Sequence, residues 1–403
     1  MRNIVILNRF PLEHITYYKW VNDDCNLYVF SNYQLYKNVS YYKELNFYND
    51  YDNNEKIILD VIELSKHIQI DEIVALSEKD VLRAGKLRSF IGVKGLNEIQ
   101  TWEFRDKVAM KNKLIQSKVP VANYKPVYGI TDIMQFADEN DYKIVIKPRR
   151  DAGSRGVTVI TNESELNRFL EKSNDFLSNL GSNFLVESLI EGELYHVDGI
   201  YHQHQLISTF VSKYLTSCLG FKENKPLVST LVDEKDIYRE SINEIVLKSL
   251  QTLGENETCI FHAEIFVDVN GSILVNEIAC RIGGAKIYPT IKKVCHYDII
   301  SEYFRILCGS ENRCKHTNTK MGGWVLIPPR QGVVKNIKSL PKLNWVVDYN
   351  LHYKNNQILE NASSAMDRLF DAIVTGQNTI EVEKHLEEII DYFNSSIEIV
   401  EGK

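Results

Sequence analysis

Short apolar runs alternate with amphipathic stretches over the first hundred residues. The runs NIVILN (3–8), LYVF (27–30) and EIVAL (72–76) predict strands. The segment EKIILDVIELSKHI (55–68) predicts an amphipathic helix. Strands separated by helices are typical of a parallel α/β layer. No GxGxxG follows the first strand, so we expect an open α/β domain without a dinucleotide-binding fingerprint.

Helix and strand patterns continue through the middle of the chain. Residues 103–118 predict one basic amphipathic helix, and YKIVIKPRR (142–150) predicts a strand that ends at Lys147. A lysine at such a strand end is placed where its ammonium can contact a phosphate. Residues 162–173 predict a helix with Asn162 as its N-cap.

A glycine-containing turn, DAGSRG (151–156), joins two predicted strands. Gly153 and Gly156 permit a positive φ, and Ser154 adds a hydroxyl donor. Successive backbone amides in such a turn can bind anionic oxygens. The turn is not a Walker loop, which would open a helix, and alone it is weak evidence for a phosphate site.

Residues 184–207 predict a strand, a turn and a hairpin. Four polar residues of this hairpin share one strand parity: His196, Asp198, His202 and His204. An HxH pair on a strand can bind a metal, but no third ligand follows at a suitable spacing.

The rest of the chain predicts helices at 234–253, 285–309 and 380–394, and a strand at 322–329. We interpret residues 311–403 as a smaller α+β unit that caps the site and selects the substrate.

The segment 261–284 (FHAEIFVDVNGSILVNEIACRIGG) predicts a β-hairpin with Asn270 and Gly271 as its loop. A two-residue loop gives every cross-strand pair the same register, and Glu264 then faces Glu277. The same face carries His262, Phe266, Asp268 and Ala279. The packed face carries Ala263, Ile265, Val267, Leu274 and Ile278.

Two glutamates that face each other on a sheet repel. With Cβ atoms roughly 5 Å apart and an effective dielectric near 20, the repulsion is about 3 kcal/mol. A divalent cation between them reverses the sign, and Mg²⁺ favours carboxylate oxygens and substrate phosphates. The alternative is a pair of solvated glutamates on an exposed face, and the hairpin alone leaves both interpretations open.

Composition narrows the classes of function. The 403 residues carry a formal net charge of −7 with no basic block, so we expect no nucleic-acid or membrane partner. The apolar start is too short for a secretory signal, and no run is long enough to cross a bilayer. Cysteines without a CxxC indicate reduced thiols in a cytoplasmic protein. They are Cys25, Cys218, Cys259, Cys280, Cys295, Cys308 and Cys314.

Four collinear motifs together resemble the ATP-grasp superfamily, closest to its carboxylate–amine ligases. They are FRDKVAMK, VIKPRRDAGSRGV, LVESLIEGELYHVDG and the EIF…NEIACRIGG hairpin. Within that group the chain is similar to L-amino-acid ligases that form dipeptides and to ligases that charge carrier proteins.

The resemblance implies a mixed α/β and α+β architecture with the ATP-grasp fold. An N-terminal open α/β domain (1–104) would precede an ATP-grasp domain (105–310) whose flap subdomain covers about 125–190. A C-terminal α+β lid-like subdomain (311–403) would follow.

The resemblance also implies the ATP contacts. Lys107 and Lys147 would hold the phosphates, and the 151–156 turn would close over them as a flap through Gly153, Ser154 and Gly156. A hinge strand would meet the adenine edge through backbone groups, and its residues are Glu187, Ser188, Leu189 and Ile190.

The resemblance implies a metal and substrate site beside the phosphates. Glu264 and Glu277 would bind Mg²⁺, for which Mn²⁺ can substitute. Arg281 would act in catalysis with Lys147 by stabilising charge on an acyl phosphate. Gly283 and Gly284 would let the backbone approach the substrate.

The chain departs from the family pattern in the metal-site strand. That strand commonly reads E-I-N-P-R, and the asparagine position is Ala279 here. Strand parity places Asn276 on the packed face, so His262 or a water is the candidate to fill the gap.

A second departure lies in the turn after the hinge. The family's G-x-E-Y turn is G-E-L-Y here, and the usual nucleotide-contacting glutamate is Leu194. His196 and Asp198 are the candidates to replace it.

The implied reaction needs no side-chain nucleophile. A carboxylate, expected to be that of an amino acid, attacks the γ-phosphorus of ATP, and an amine then displaces phosphate from the acyl phosphate. Three alternatives stay open: a ligase that loads a carrier-protein thiol, a carboxylase-type subunit that activates bicarbonate, and a nucleotide-binding sensor with a decayed metal site. A homodimer is the default for a cytoplasmic enzyme.

Overall fold

The computed structural model describes residues 1–34, 39–178, 180–309, 320–337 and 342–400. The strands are β1 (Arg2–Asn8), β2 (Cys25–Ser31), β3 (Glu44–Phe47), β4 (Glu72–Ala75), β5 (Tyr124–Val127), β6 (Ile144–Pro148), β7 (Thr158–Ile160), β8 (Phe184–Ser188), β9 (Gly192–His202), β10 (Gln205–Tyr214), β11 (Leu227–Leu231), β12 (Thr258–Asp268), β13 (Ile273–Ala279), β14 (Met321–Ile327), β15 (Gly332–Ile337), β16 (Val346–Leu351), β17 (Ile358–Leu359), β18 (Phe370–Gly376) and β19 (Ile397–Val400). The helices are α1 (Lys56–His67), α2 (Val81–Ile91), α3 (Glu98–Arg105), α4 (Lys107–Gln116), α5 (Ile130–Glu139), α6 (Glu163–Lys172), α7 (Asn174–Ser178), α8 (Arg239–Gly254), α9 (Ile287–Val294), α10 (Ile299–Leu307) and α11 (Thr379–Ser396).

The N-terminal strands form a parallel sheet in the order β3-β2-β1-β4. This confirms the predicted strands and the predicted helix, which is α1. Ile4 and Ile6 pack into one apolar cluster, and Val5 and Leu7 pack into another. The run is apolar at consecutive positions because β1 is covered on both faces.

The single helix predicted at 103–118 is wrong, because the chain breaks at Asp106. The Asp106 side chain accepts hydrogen bonds from the backbone N–H groups of Val108 and Ala109 and thereby begins α4. Arg149 holds the same carboxylate, with 2.7 Å between Nη2 and Oδ1. Lys107 is therefore the first residue of a helix and lies beside the end of β6.

A four-stranded sheet in the order β5-β8-β6-β7 covers the region predicted as the flap subdomain. The 151–156 turn lies between the antiparallel strands β6 and β7, as predicted. Helix α6 begins at the predicted N-cap, where the Asn162 side chain accepts a hydrogen bond from the backbone N–H of Glu165.

An eight-stranded antiparallel sheet forms the centre, in the order β13-β12-β9-β10-β11-β14-β18-β16. The C-terminal strands β14, β16 and β18 continue this sheet, and α11 packs on it through Val382, Leu386, Ile389 and Phe393. The predicted domain boundary at residue 310 would therefore divide one sheet between two domains, because β11 pairs with β14 across it. Residue 310 itself lies outside the described residues.

The prediction of one continuous helix at 285–309 is wrong. The segment forms two helices, α9 and α10, and the Asp298 side chain begins the second by accepting a hydrogen bond from the Ser301 N–H. Within the described ranges no helix is long and apolar enough to cross a membrane. No disulfide joins the cysteines in those ranges, and Cys314 lies outside them.

Candidate active site

The hairpin of β12 and β13 places Glu264 directly opposite Glu277, as predicted. The pairs from His262–Ala279 to Glu264–Glu277 keep the predicted register. Toward the loop a β-bulge shifts the register, and Ile265 pairs with Val275. The prediction of one register along the whole hairpin is therefore wrong. The predicted two-residue loop is wrong as well, because the Asp268 N–H donates to the carbonyl oxygen of Ser272 and the loop consists of Val269, Asn270 and Gly271.

The bulge residue is Asn276, and it brings a polar side chain to the glutamates. Its amide donates to Glu264 Oε2 (2.9 Å) and accepts from Lys147 Nζ (3.1 Å). The prediction that Asn276 faces the packed side is wrong, because a bulge places two successive residues against one on the partner strand. Two adjacent polar residues, Asn276 and Glu277, interrupt the alternation of β13, and this interruption is the sequence signal of the bulge.

The bulge also changes which residues of β13 are packed. Val275 is buried in the core on that side of the sheet, and Ile273 packs against the same core. Leu274, predicted on the packed face, pairs instead with Phe266, which lines a cleft.

A cleft of about 790 Å³ lies between the flap sheet and the hairpin. Its wall includes most of the residues predicted from the sequence: Lys107, Lys147, Gly153, Ser154, Glu187, Ser188, Leu189, Ile190, Glu264, Glu277, Arg281 and Gly284. An apolar part of the wall follows the hinge strand and consists of Ala122, Val145, Leu189, Ile190, Leu194 and Phe266. The cleft therefore combines an apolar part with a charged part, as a nucleotide requires.

Glu187 is a buried carboxylate that binds two lysines. Lys147 Nζ lies 2.7 Å from its Oε2, and Lys111 Nζ lies 3.1 Å from its Oε1. Burial opposes the charge of Glu187, but the two ammonium groups outweigh it and lower its pKa. Burial, together with the charge of Lys147, lowers the pKa of Lys111. The side chain of Glu187 thus holds Lys147 at the cleft, whereas the sequence suggested only a backbone role.

Lys107 contacts the hairpin of β12 and β13. Its Nζ lies 3.1 Å from Glu277 Oε1 and donates to the carbonyl oxygen of Asp151 at the start of the glycine turn (3.0 Å). Lys111, which the sequence reading missed, lies one helical turn further along α4. The spacing of four residues in FRDKVAMK was the available signal, because residues i and i+4 share one face of a helix.

Arg281 joins the hairpin to the N-terminal sheet. Its guanidinium forms an ion pair with Glu78, just after β4, and Nη1 donates to the carbonyl oxygen of Ile282 (2.7 Å). Arg105 Nε lies 3.1 Å from the other carboxylate oxygen. Burial opposes ionisation of Glu78, but Arg281 and Arg105 outweigh it and lower its pKa. Glu78 was missed because no local pattern marks it.

A buried polar chain lies beneath the glutamates. Asp198 accepts from His196 Nδ1 (2.7 Å) and from His262 Nδ1 (2.9 Å), and His196 Nε2 lies 2.8 Å from Ser229 Oγ. Burial opposes the charges, but the contacts with the two histidines lower the pKa of Asp198. Burial likewise opposes the charge of His262, but Asp198 raises its pKa to about 9.

His196 and Asp198 are buried and lie outside the residues that line the cleft. This position does not support the predicted contact with ATP, and we assign them to holding His262 instead. The predicted shared parity with His204 is wrong, because His204 lies in the turn between β9 and β10 with a φ of 65°. His202 bonds to Thr258 Oγ1, away from the cleft (2.7 Å).

The predicted glycines have different roles. Gly156 has a φ of +67°, and a Cβ there would lie 2.8 Å from Pro148 Cγ, so the turn requires glycine. A Cβ on Gly283 would lie 2.3 Å from Asp198 Oδ1. Gly283 thus makes room for this carboxylate and does not line the cleft, whereas Gly284 does.

The donor set fits a divalent cation. Glu264 and Glu277 face each other on the cleft wall, and carboxylate oxygens are the ligands that Mg²⁺ prefers. Burial opposes the charge of Glu264, but His262 outweighs it and lowers the pKa of Glu264 to about 2. Glu264 is therefore ionised at neutral pH.

Sequence comparison relates this chain to ATP-grasp proteins. Residues 140–288 match the sequence model of the ATP-grasp domain. The L-arginine-specific L-amino acid ligase of Bacillus subtilis is 26% identical over 321 residues, which cover 76% of each protein. Alanine–anticapsin ligase of Bacillus subtilis (strain 168) is 24% identical over 277 residues, which cover 63% of this chain and 57% of that protein.

The fold has a close counterpart among solved structures. The crystal structure of L-amino acid ligase from Bacillus licheniformis superposes with a TM-score of 0.77 at 15% identity, over 100% of this chain and 99% of that one. The predicted ATP-grasp fold and the resemblance to L-amino-acid ligases are therefore confirmed.

Proposed function

We propose that this chain, with its ATP-grasp domain, is an ATP-dependent ligase that joins an amino-acid carboxylate to an amine and releases ADP and phosphate. The observation that carries the proposal is the charged part of the cleft, where two lysines, two facing glutamates and an arginine line one space. The similarity to L-amino-acid ligases supports an amino acid as the carboxylate.

The lysines bind and orient the nucleotide. Lys107 and Lys147 direct their ammonium groups into the charged part of the cleft, where they hold the phosphates as point charges. Glu187 fixes Lys147 from behind, so little ordering remains to be done when ATP binds. The apolar wall beside the hinge strand holds the base.

Glu264 and Glu277 would hold Mg²⁺, which neutralises charge on the phosphate oxygens. Lys107 pairs with Glu277 in the structure, and the phosphate would compete for this lysine. Arg281 is fixed by Glu78 and faces the cleft, where it stabilises the charge that develops on the acyl phosphate and its tetrahedral adduct.

The glycine turn excludes water. Residues 151–155 line the cleft on one side, whereas Gly156 does not. The C-terminal segment meets this turn through a hydrogen bond from the Ala365 N–H to the carbonyl oxygen of Gly153 (3.4 Å). A closed turn prevents hydrolysis of the acyl phosphate before the amine attacks.

A phosphate-release screen tests the proposal. Purified protein is incubated with MgATP and every pair of proteinogenic amino acids, and the products are identified by mass spectrometry. We expect at least one pair to stimulate phosphate release and to yield a dipeptide. Glu277→Gln should abolish the stimulation, whereas Glu244→Gln, on the exposed face of α8, should not.

Further arms of the screen separate the other reactions. Release that requires only bicarbonate would indicate carboxylase chemistry, and a mass shift on a carrier protein's prosthetic arm would indicate thiol loading. Binding of ATP without release in any arm would contradict the proposal and favour a sensor.

A further inference from the structure

His262 lies on the cleft wall, directly opposite Ala279 of β13. The methyl group of Ala279 offers no donor atom. Asn276 is committed elsewhere, because its amide already bonds both Lys147 and Glu264. The imidazole of His262 is thus the additional donor group on this part of the hairpin.

The orientation of His262 is fixed from behind. An ionised carboxylate can only accept hydrogen bonds, so the Nδ1 atoms of both His262 and His196 donate to Asp198. His196 is held in turn by Ser229. This arrangement leaves His262 Nε2 on the side of the glutamates, where a bound cation would displace the proton from this nitrogen and take its lone pair.

The distance from His262 Nε2 to Glu264 Oε1 is 3.8 Å, too long for a hydrogen bond. It is about 0.8 Å longer than the separation of two cis ligands of one octahedral ion, so a small adjustment of the side chains would bring both atoms onto one ion. With metal–ligand bonds near 2.1 Å, two donors of an octahedral ion lie about 3.0 Å apart in cis and about 4.2 Å apart in trans.

We propose that His262, through Nε2, is a third protein ligand of the divalent cation held by Glu264 and Glu277. The inference rests on the proposed function of this cleft. Histidines that bind metals almost always donate their other ring N–H to a carboxylate or carbonyl, as His262 does to Asp198.

His196 and Asp198 orient His262 and do not form a separate metal site. The three side chains have donor atoms within 4.8 Å of one another. However, hydrogen bonds of 2.7 Å and 2.9 Å already occupy both oxygens of Asp198. Gly283 is required at its position because any side chain there would displace this carboxylate.

An imidazole ligand changes the preferred ion. Oxygen-only sites suit Mg²⁺, whereas nitrogen ligands favour ions later in the first transition row. The site should therefore bind Mn²⁺ and Co²⁺ more tightly than Mg²⁺.

Pulsed EPR on the native protein tests the ligand directly. Protein labelled with ¹⁵N-histidine is mixed with Mn²⁺ and unlabelled ADP, and ¹⁵N couplings to the ion are recorded. We expect a coupling of the size of a directly bound nitrogen. Its absence from bound Mn²⁺·ADP would overturn the assignment of His262 and leave the proposed function standing. Failure of Mn²⁺·ADP to bind at all would overturn both.

Two variants add a measurement of affinity. His262→Gln should lose the ¹⁵N coupling and raise the Kd of Mn²⁺ in the presence of ADP by on the order of 10- to 100-fold. Adding Ala279→Asn to it should recover Mg²⁺ binding. His202→Gln, on β9 but outside the cleft, is the matched control and should change neither quantity. If His262→Gln weakened Mn²⁺ binding while labelled wild-type protein showed no coupling, His262 would be only a positioning residue and the proposal would be wrong.

Discussion

Replacing Glu187 with glutamine should destabilise the protein far more than the loss of an ordinary ion pair. Glu187 is 4% exposed and bridges Lys111, which is fully buried, and Lys147. The Glu187 carboxylate lies 3.1 Å from Lys111 Nζ and 2.7 Å from Lys147 Nζ. At an effective dielectric near 20, its attraction to each ammonium is about 5–6 kcal/mol before the cost of desolvation. Glu187→Gln leaves two buried cations without their counter-ion.

The net cost of such a change is about 3–5 kcal/mol. An unfolding entropy of about 2.1 cal/mol/K per residue gives a 403-residue chain about 0.85 kcal/mol/K, so the Tm should fall by about 4–6 °C. Differential scanning calorimetry of the wild-type protein and the variant measures this fall in Tm. Lys111→Met combined with Glu187→Gln restores the net charge of the cluster and should recover part of the loss.

Glu191 provides the matched control, because it pairs with Lys143 at 2.8 Å but both side chains are more than half exposed. Glu191→Gln should cost about 0.2–1 kcal/mol, or about 1 °C. The reasoning is refuted if Glu187→Gln lowers the Tm no more than Glu191→Gln, or if adding Lys111→Met deepens the loss.

Three further variants test other parts of the structure. Gly156→Ala should slow ligation while ATP still binds, because its φ of +67° and the contact with Pro148 strain the flap turn; single-turnover kinetics and ATP titration separate the two effects. Lys147→Met should raise the Kd for ATP in calorimetric titration with little change in the Kd for adenosine, because the role proposed for this lysine is to bind the phosphates and adenosine has none. Burial raises the pKa of Glu72 to about 7, so the folded state binds the extra proton between about pH 4.5 and 7 and loses stability as pH rises through that range. Glu72→Gln should therefore stabilise the protein by up to about 3 kcal/mol at pH 8 and have no effect near pH 4.5, whereas Glu244→Gln should show no such pH dependence.

Local pairing rules predicted the centre of the site. The observed loop has three residues, Val269 to Gly271, where two were predicted. The bulge at Asn276 offsets the extra residue, so Glu264 still pairs with Glu277. Between the loop and the bulge the pairing is shifted by one residue from the prediction, and such a shift moves side chains to the other face of the sheet. Asn276 was misplaced for that reason.

Long-range partners could not be predicted in the same way. Glu78 meets Arg281 only because the N-terminal sheet packs beside the hairpin, and a separation of about 200 residues leaves no spacing pattern to detect. The C-terminal strands looked like a separate unit because their partners in the sheet, such as β11, lie far earlier in the chain. Four collinear motifs nevertheless identified the fold, since each marks an element that lines the cleft.

Oxygen transfer tests the central claim most directly. Once the screen has identified a reactive pair, the amino acid that is activated is supplied with ¹⁸O in its carboxylate, and the released phosphate is analysed by mass spectrometry. An acyl-phosphate route predicts one ¹⁸O atom in each phosphate and one in the new amide carbonyl. Unlabelled phosphate from a reaction that still forms the amide would show that the carboxylate never attacks the γ-phosphorus, and would contradict the account.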